Sequence, residues 1–566
     1  MLKHPVPMIA RARSSQSSTF KAVAVALAAS LSCLLPGAAH AVSASSALQV
    51  QLPAGVIEGA PLSAGNTELR AFKGIPYAAP PIGALRWKEP QRVAQWAGVR
   101  QTKQFGPRCM QLGSFQMRFR SNGMSEDCLY LNVWTPAHSE SAKLPVLVQF
   151  HDGGFLYGDG SEPRYDGASL AARGIVTITV NYRLGAFGFL ALSDLALESP
   201  HGAGGNYGML DQTAALTWVR DNIERFGGDP RRVTIAGVGA GATSVTLHMA
   251  SQLSRGLFAQ AIGGSGSASN SNLMKRSTAV SIGNKLAYAV LAGSVPSLRA
   301  VPAQTLLDAT GKDGKPIYPF RPIEDGYFLL DTPEAIFASG AQADVPLLLG
   351  TTSHQGKYVL LLQKEEPSNW NWQKALQRKF DTRANDALAL YPGNSKEEVM
   401  RSGDALMGDL FVDHGVWRWM DSHRSTDSAS SPVYFYLHTQ LHPQKRESDA
   451  KEQRSREAGS QARPHVAPNS EIEYALGTVG VDPYLAWTAE DRETARIFSG
   501  YVAQFVKTGN PNGPALPTWP AVRESAGGLL RQAIGPRTDT ISDTSAARHA
   551  FLQAYFAQAA GSNTSP

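Results

Sequence analysis

Residues 233–245 (VTIAGVGAGATSV) constrain the fold more than any other part of this 566-residue chain. A β-branched run leads into three glycines at alternate positions, Gly237, Gly239 and Gly241, before a second apolar segment. This pattern is typical of a buried strand that turns tightly into a helix, because glycine permits sharp turns and close backbone approach. It indicates a sheet whose strands alternate with helices.

Further short β-branched and apolar runs, each bounded by turn residues, predict buried strands. The predicted strands are 144–150, 175–182, 233–237, 345–350 and 433–439. Residues 211–226 have helical periodicity instead, with an apolar face and a charged face. The apolar face is formed by Leu216, Val219, Ile223 and Phe226. The order of these elements predicts an α/β fold: a large, mostly parallel, doubly wound sheet flanked by helices, with the functional site at the carboxyl ends of the strands.

The first 41 residues are predicted to be a secretory signal peptide that is cleaved after Ala41. Four basic residues precede an apolar run at 22–35, which is too short to span a bilayer, and small residues stand before the predicted cut. A lipoprotein signal ending at Cys33 is an alternative. We therefore expect a secreted or periplasmic protein with no membrane span, in which residues 42–566 form a single domain.

Removal of that segment lowers the formal net charge from +6 to +2, because it carries four basic residues and no acid. Without a stripe of Lys and Arg interleaved with aromatic residues, nucleic-acid binding is not expected. The sequence has no metal-ligand spacing and no phosphate-binding loop, so neither a metal nor a cofactor is implied. The charged segment 444–464, which lacks aromatic residues, is expected to be a mobile surface loop.

Two cysteines, Cys109 and Cys128, remain after Cys33 leaves with the signal. An oxidising compartment permits a disulfide between them, and the loop that it closes is of a size that stabilises a fold. We therefore expect these two cysteines to pair.

The turn at 237–241 also has the layout of a nucleophile elbow, written G-x-S-x-G, in which a serine oxygen stands exposed above the sheet. Both flanking glycines are present, but Gly239 takes the place of the serine and has no side chain. Taken alone, the stretch favours the simpler interpretation of a close-packed connection between a strand and a helix.

From about Val50 to Val522, however, the chain resembles the type-B carboxylesterases, the α/β-hydrolase family that includes the cholinesterases and secreted bacterial esterases. The matching motifs run in order along the chain: 72–81 (FKGIPYAAPP), 125–133 (SEDCLYLNV), 181–185 (NYRLG), 205–212 (GNYGMLDQ), 227–230 (GGDP), 344–346 (DVP), 507–512 (KTGNPN) and 519–520 (WP). The resemblance implies the α/β-hydrolase fold, and it supports the disulfide because the family pairs cysteines at these two places.

The family hydrolyses esters with a serine nucleophile, a histidine base and a glutamate that orients the histidine. The resemblance assigns these three roles to the positions of Gly239, Gln355 and Pro468. Gln355 stands in 354–356 (HQG), where the family has D-E-G, and Pro468 begins 468–474 (PNSEIEY), where the family has H-G-S-E-I-P-Y. The resemblance therefore implies a degenerate triad.

The family's H-G-G-G-F loop, which supplies backbone donors to the oxyanion hole, is similar to 151–155 (HDGGF). Gly153, Gly154 and Ala240 match the three donor positions, so the resemblance implies an anion-binding pocket. Asp152 replaces the first glycine of the loop. Its carboxylate should oppose a developing oxyanion unless it is protonated or paired with a cationic ligand.

Three side chains are candidates for a substitute general base: Asp152, His354 beside the lost acid, and His465 three residues before the lost base. Ser244 and Ser265 lie near the predicted site in sequence, and we expect both to be buried hydrogen-bonding groups and not nucleophiles.

Three functions remain open. The first is a secreted carboxylesterase-like protein without a working triad, which binds a small molecule in the family's gorge or a protein partner on its surface. The second is a repurposed enzyme that uses the remaining oxyanion donors for elimination or cyclisation. The third is a carboxylic ester hydrolase with a rearranged site.

Overall fold

The computed structural model describes residues 48–113, 117–269, 273–312, 315–353, 356–426, 430–443, 469–522 and 529–562. Four sets of predictions lie outside these ranges: the signal peptide, the charged segment 444–464, the acid position with its neighbour (Gln355, His354), and the base position with its neighbour (Pro468, His465).

Eleven strands of the described chain form one sheet. In chain order they are β1 (Ala60–Ala64), β2 (Thr67–Pro76), β3 (Tyr130–Thr135), β4 (Leu144–Phe150), β5 (Val176–Val180), β6 (Gly228–Val238), β7 (Gln260–Gly264), β8 (Leu347–Thr352), β9 (Val433–His438), β10 (Leu530–Ile534) and β11 (Asp539–Ser542). Their order across the sheet is β11-β10-β9-β8-β7-β6-β4-β5-β3-β2-β1. Every pairing from β10 to β5 is parallel, and the pairings at the two edges are antiparallel. The predicted mostly parallel sheet is confirmed.

The α-helices of the described chain flank this sheet. They are α1 (Ala168–Ala171), α2 (Gly185–Phe189), α3 (Ser193–Glu198), α4 (Tyr207–Asn222), α5 (Ala240–Ala250), α6 (Arg276–Ala289), α7 (Val295–Ala300), α8 (Ala303–Ala309), α9 (Pro333–Ala338), α10 (Val359–Leu362), α11 (Asn369–Phe380), α12 (Ala384–Leu390), α13 (Lys396–Gly408), α14 (His414–Ser425), α15 (Glu471–Leu476), α16 (Ala489–Thr508) and α17 (Ala546–Ser562).

Shorter elements complete the chain. Short 3-10 helices span Gly83–Leu85, Glu140–Ala142, Pro163–Tyr165, Ile223–Phe226, Gln252–Ser254 and Asp381–Arg383, and a π-helical turn spans Asp409–Asp413. Three strands, Gln49–Leu52, Gly55–Glu58 and Val99–Gln101, form a small sheet, and two strand pairs join Arg108–Cys109 to Met124–Ser125 and Gly311–Lys312 to Lys315–Pro316.

Side chains alternate between the two faces of the sheet and enter two separate cores. Val146 and Val148 of β4 belong to one buried cluster, whereas Leu147 between them belongs to the other. On β8 the same alternation separates Leu347 from Leu348. Because both faces are apolar, helices must cover both, which is the doubly wound arrangement that the strand composition predicted.

The predicted crossover helix is confirmed with a shifted start. It begins at Tyr207 as α4 and ends at Asn222, and the 3-10 turn Ile223–Phe226 completes it. All four residues of the predicted apolar face are fully buried. Gly208 disfavours a helical prediction for the first turn, but a β-carbon there would lie 2.5 Å from the carbonyl oxygen of Arg183, so the helix needs a glycine at this point.

Cys109 and Cys128 form the expected disulfide, which closes a loop between residues 19 apart in sequence. Among the described residues, no helix is long and apolar enough to cross a membrane.

Candidate functional site

A single residue makes the turn between β6 and α5. β6 ends at Val238, α5 begins at Ala240, and Gly239 between them has φ 59° and ψ −120°. A β-carbon at Gly237 would lie 2.1 Å from the carbonyl carbon of Gly241. The predicted strand–turn–helix is therefore confirmed. Glycine is favoured at 239 by its positive φ and is required at 237 by close backbone contact.

The carboxylate of Asp152 occupies the space that a side chain at position 239 would need. A β-carbon on Gly239 would lie 2.3 Å from Oδ1 of Asp152 and 2.6 Å from its Cγ. The backbone N–H of Ala240 donates to Oδ1 (2.8 Å), and the side-chain amide of Asn469 donates to Oδ2 (2.6 Å). Two neutral donors thus hold a carboxylate at the tip of the elbow.

The register of the sheet brings Asp152 to the elbow. Gly237 of β6 pairs with Phe150, the last residue of β4, and the two strands are parallel. Asp152 and Gly239 each stand two residues beyond this pair, so they leave the same edge of the sheet side by side. The backbone N–H of Asp152 then donates to the hydroxyl of Tyr165 (2.8 Å), which fixes the loop from beneath.

His151, next to Asp152, is part of the packing and not of an acid–base pair. Its ring stacks on Tyr182 at 4.2 Å, and its Nδ1 lies 2.9 Å from the carbonyl oxygen of Asp152. Burial lowers the pKa of His151 to about 4, so the imidazole is neutral at physiological pH.

The three backbone N–H groups that match the family's oxyanion donors differ in whether they already have a hydrogen-bond acceptor. The N–H of Ala240 is taken by Asp152, whereas the N–H groups of Gly153 and Gly154 have no acceptor among the described residues. No Lys or Arg within this described part of the chain forms an ion pair with Asp152. The site therefore contains a carboxylate that forms no ion pair among the described residues. The next two residues of the same loop offer backbone N–H groups that have no acceptor.

Asn469, which the sequence analysis did not single out, supplies the second donor to Asp152. It has a positive φ of 61° and lies just before α15, in the place of the glycine that follows the family's histidine. Asparagine adopts a positive φ more readily than most residues, so Asn469 fits this backbone position. Its sequence neighbours did not indicate that its amide would contact Asp152.

Three glutamates near the elbow, Glu162, Glu471 and Glu473, each have a pKa raised to about 7 by burial. Arg164 offsets part of this effect for Glu162, through a contact of 2.9 Å, and for Glu473. A hydrogen bond with the hydroxyl of Ser265 offsets part of it for Glu471. Glu473 stands where the family has proline, so the sequence showed an acid in the place of an apolar residue. The sequence did not predict that this acid would be buried.

The two serines near the elbow are buried, as expected. Ser244 donates to the carbonyl oxygen of Ala240 (3.1 Å) and accepts from Gln212 (3.1 Å). Ser265 is 3% exposed, and its backbone N–H donates to Gly350 (2.9 Å). Within the described ranges, no group of three or more His, Cys, Asp or Glu side chains is arranged to hold a metal ion.

Comparison with known proteins places these features in one family. The model of the carboxylesterase family matches residues 46–550. Fumonisin B1 esterase of Sphingopyxis macrogoltabida is 36% identical over 369 residues, which are 64% of this chain and 66% of that protein. Para-nitrobenzyl esterase of Bacillus subtilis (strain 168) is 33% identical over 475 residues, with 81% of this chain and 91% of the relative covered. Acetylcholinesterase of Bungarus fasciatus is 33% identical over 516 residues, with 84% and 81% covered.

The overlap at the elbow predicts energetic coupling between Gly239 and Asp152. Gly239→Ala should lower the free energy of unfolding by about 1–3 kcal/mol, because the new methyl group strains the turn and forces the carboxylate away from its donors. In an Asp152→Gly background the same substitution should cost at least about 1 kcal/mol less. Urea denaturation of the two single variants and the double variant measures this. Additive effects, within about 0.5 kcal/mol, would contradict the overlap.

The buried glutamates predict a pH-dependent stability. The pKa of Glu473 is about 7 in the folded chain against an ordinary value of 4.5, so its ionisation destabilises the fold progressively as pH rises between these values. Glu473→Gln should therefore gain stability relative to the parent protein from pH 4.5 to 7, with a constant difference at higher pH. Denaturant unfolding at a series of pH values tests this, with the exposed Glu493→Gln as the matched control. A difference that does not change over pH 4.5–7 would argue against a buried carboxyl at position 473.

Proposed function

Because the chain belongs to the carboxylesterase family, we propose that it is an exported member that binds a small molecule at the elbow and does not hydrolyse it. One observation carries the proposal. The position of the nucleophile is glycine, and the carboxylate of Asp152 fills the space above it.

Ester hydrolysis in this family needs an oxygen nucleophile and donors for the oxyanion. Gly239 supplies no side-chain oxygen, and loss of the serine of a Ser–His–acid triad lowers turnover by about a millionfold. Asp152 also takes the N–H of Ala240. Loss of one oxyanion donor alone costs about 10²–10³ in turnover, and a nearby negative charge adds repulsion. Both the missing nucleophile and the occupied oxyanion donor oppose formation of the tetrahedral intermediate.

The other two triad positions support the same proposal through their residue types. An amide at Gln355 has no charge with which to stabilise an imidazolium, and proline at position 468 has no titratable ring. His354 and His465 remain candidates for a substitute base, and both lie outside the described residues.

The elbow has the groups of a binding site. The carboxylate of Asp152, which is hydrogen-bonded but forms no ion pair among the described residues, favours a ligand with a hydrogen-bond donor or a positive charge, and the amides of Gly153 and Gly154 favour an acceptor such as a carbonyl oxygen. A protein partner on the surface is the alternative occupant for a non-hydrolytic relative. The predicted signal peptide and the disulfide together support export to the periplasm or the medium.

A second candidate function is a repurposed catalyst. The carboxylate of Asp152 is held by two donors in a defined position, and it is followed by two amides without acceptors. A substrate carbonyl on those amides would place its adjacent carbon near a carboxylate base, which suits proton abstraction, elimination or cyclisation. Asp152→Asn would abolish such a reaction but would only weaken the binding of a neutral ligand, because the variant side chain still accepts a hydrogen bond.

A third candidate, ester hydrolysis by a rearranged site, is favoured by the relatives, since each of those named above is an esterase. Incubation with a fluorophosphonate probe and with p-nitrophenyl acetate tests it directly. We expect no covalent labelling and no p-nitrophenol release above the rate without protein, because no serine oxygen stands at the elbow. Labelling of any serine, located by mass spectrometry, would establish hydrolysis and overturn the proposal.

The reverse experiment asks whether the architecture can still support catalysis. The variant Gly239→Ser/Gln355→Glu/Pro468→His restores the triad but leaves Asp152 in the space of the new serine, so we expect no labelling. Addition of Asp152→Gly should allow labelling by the same probe, because it clears the overlap and frees the N–H of Ala240. Equal labelling of the two variants would mean that Asp152 does not obstruct the site.

A further inference from the structure

A cleft of about 160 Å³ lies at a different place in the fold from the elbow. It is bounded by residues 87–91, the end of α3 with the loop that follows, the start of α4, and the turn at 325–327. None of its lining residues belongs to the loop 151–155 or to the turn 237–241.

The walls of this cleft are held in place by hydrogen bonds that do not involve a ligand. The side-chain amide of Asn206 donates to the carbonyl oxygen of Ile323 (2.8 Å) and accepts from its N–H (3.0 Å). Oδ1 of Asp325 accepts from the N–H groups of residues 327, 328 and 329. A cavity that is already formed binds a ligand with little ordering cost.

The lining combines aromatic and aliphatic walls with several polar and charged side chains. Trp87 and Leu195 are each 2% exposed and form part of the wall. The ring of Tyr327 stacks on His201 at a centroid distance of 3.8 Å and an angle of 9°. An apolar cavity of about 150 Å³ holds a benzene molecule. The volume of this cleft therefore suits one aromatic ring with a short substituent.

Tyr207 contributes a hydrogen-bond donor that has no acceptor. The residue is 4% exposed, and its hydroxyl has no hydrogen-bond partner for its proton among the described residues. Burial raises the pKa of Tyr207 to about 12, so the hydroxyl keeps its proton. Gly204 leaves room around it, since a β-carbon there would lie 3.0 Å from the hydroxyl oxygen. A buried donor of this kind calls for an acceptor on a ligand.

Glu89 contributes a negative charge nearer to solvent. Its side chain is 29% exposed, and the imidazole of His201, at 3.8 Å, is charged only when protonated. The other glutamate of the lining, Glu198, is already paired with Arg299 at 2.8 Å. Lys88 also lines the cleft but forms no ion pair with Glu89. Asp325, the third acid of the lining, is occupied by backbone N–H groups. Glu89 is therefore the glutamate of the lining that lacks a permanent cationic partner among the described residues.

We propose that this cleft binds a small aromatic amine: one aryl ring, with a hydrogen-bond acceptor directed at Tyr207 and an ammonium group directed at Glu89. The ring lies against Trp87 and Tyr327. This binding is independent of the elbow, so the proposal does not rest on the function proposed for Asp152.

Tyramine is the probe, because its phenolic oxygen accepts a hydrogen bond and its amine is positively charged. Isothermal titration and ligand-observed NMR with the full chain should give saturable binding. Phenethylamine, which lacks the oxygen, should bind about fivefold more weakly, the value of one hydrogen bond. 4-Hydroxyphenylacetate, which has the opposite charge, should not bind. Absence of tyramine binding at about 10 mM, or equal binding of the anion, would overturn the proposal.

Two variants locate the site. Tyr207→Phe should weaken tyramine about fivefold and leave phenethylamine unchanged, because only the hydroxyl is removed. Glu89→Gln should weaken both amines about threefold or more. Glu493→Gln, which removes an exposed acid that does not line the cleft, is the matched control and should change neither affinity. Loss of binding in Asp152→Asn with retention in Tyr207→Phe would place tyramine at the elbow and refute the cleft. The preference of the unaltered protein for tyramine over phenethylamine remains a test if a variant fails to fold.

Discussion

Position 239 and the carboxylate of Asp152 share one volume of space, so a side chain can enter it from only one of them. With glycine at 239, the carboxylate rests on the N–H of Ala240 and on the amide of Asn469. With any larger residue at 239, the carboxylate would have to shift, because the new β-carbon would lie within 2.8 Å of Cγ and both of its oxygens. This exclusion couples the loop after β4, the turn after β6 and the segment before α15, which are the three elements that build the site.

The consequence for chemistry is a change in what the pocket stabilises. One of the three backbone N–H groups that match the family's oxyanion donors, that of Ala240, donates to a carboxylate of the protein itself. Two further acids, Glu471 and Glu473, lie on α15 near this carboxylate, and burial raises the pKa of each. Arg164 is the cation that balances part of this charge, and it stands beside Tyr165, which holds the backbone of Asp152. Neutral protonated acids are therefore part of the structure at moderately low pH.

Much of the fold could be predicted from local patterns. Buried parallel strands appear in the sequence as runs of β-branched residues, and the crossover helix appears as apolar residues spaced at about 3.6 positions. β4 matches its predicted range, and the apolar face of α4 is fully buried. The start of α4 was misplaced because Gly208 disfavours a helix locally and is required by contact with Arg183, which is distant from it in sequence. Asn469 and Tyr165 were not predicted, because their roles depend on contact with Asp152 and not on their sequence neighbours.

The sequence by itself determined that the turn after β6 has no side-chain oxygen to offer, since residue 239 is glycine. Its alternate glycines also indicated that the strand and the helix beside it pack closely, since glycine permits close backbone approach. The sequence also indicated that a carboxylate stands near this turn, through the family's loop. Only the tertiary structure decided where that carboxylate rests. The parallel register that pairs Phe150 with Gly237 places residues 87 positions apart side by side, and no local pattern in a chain encodes the register of two strands so far apart.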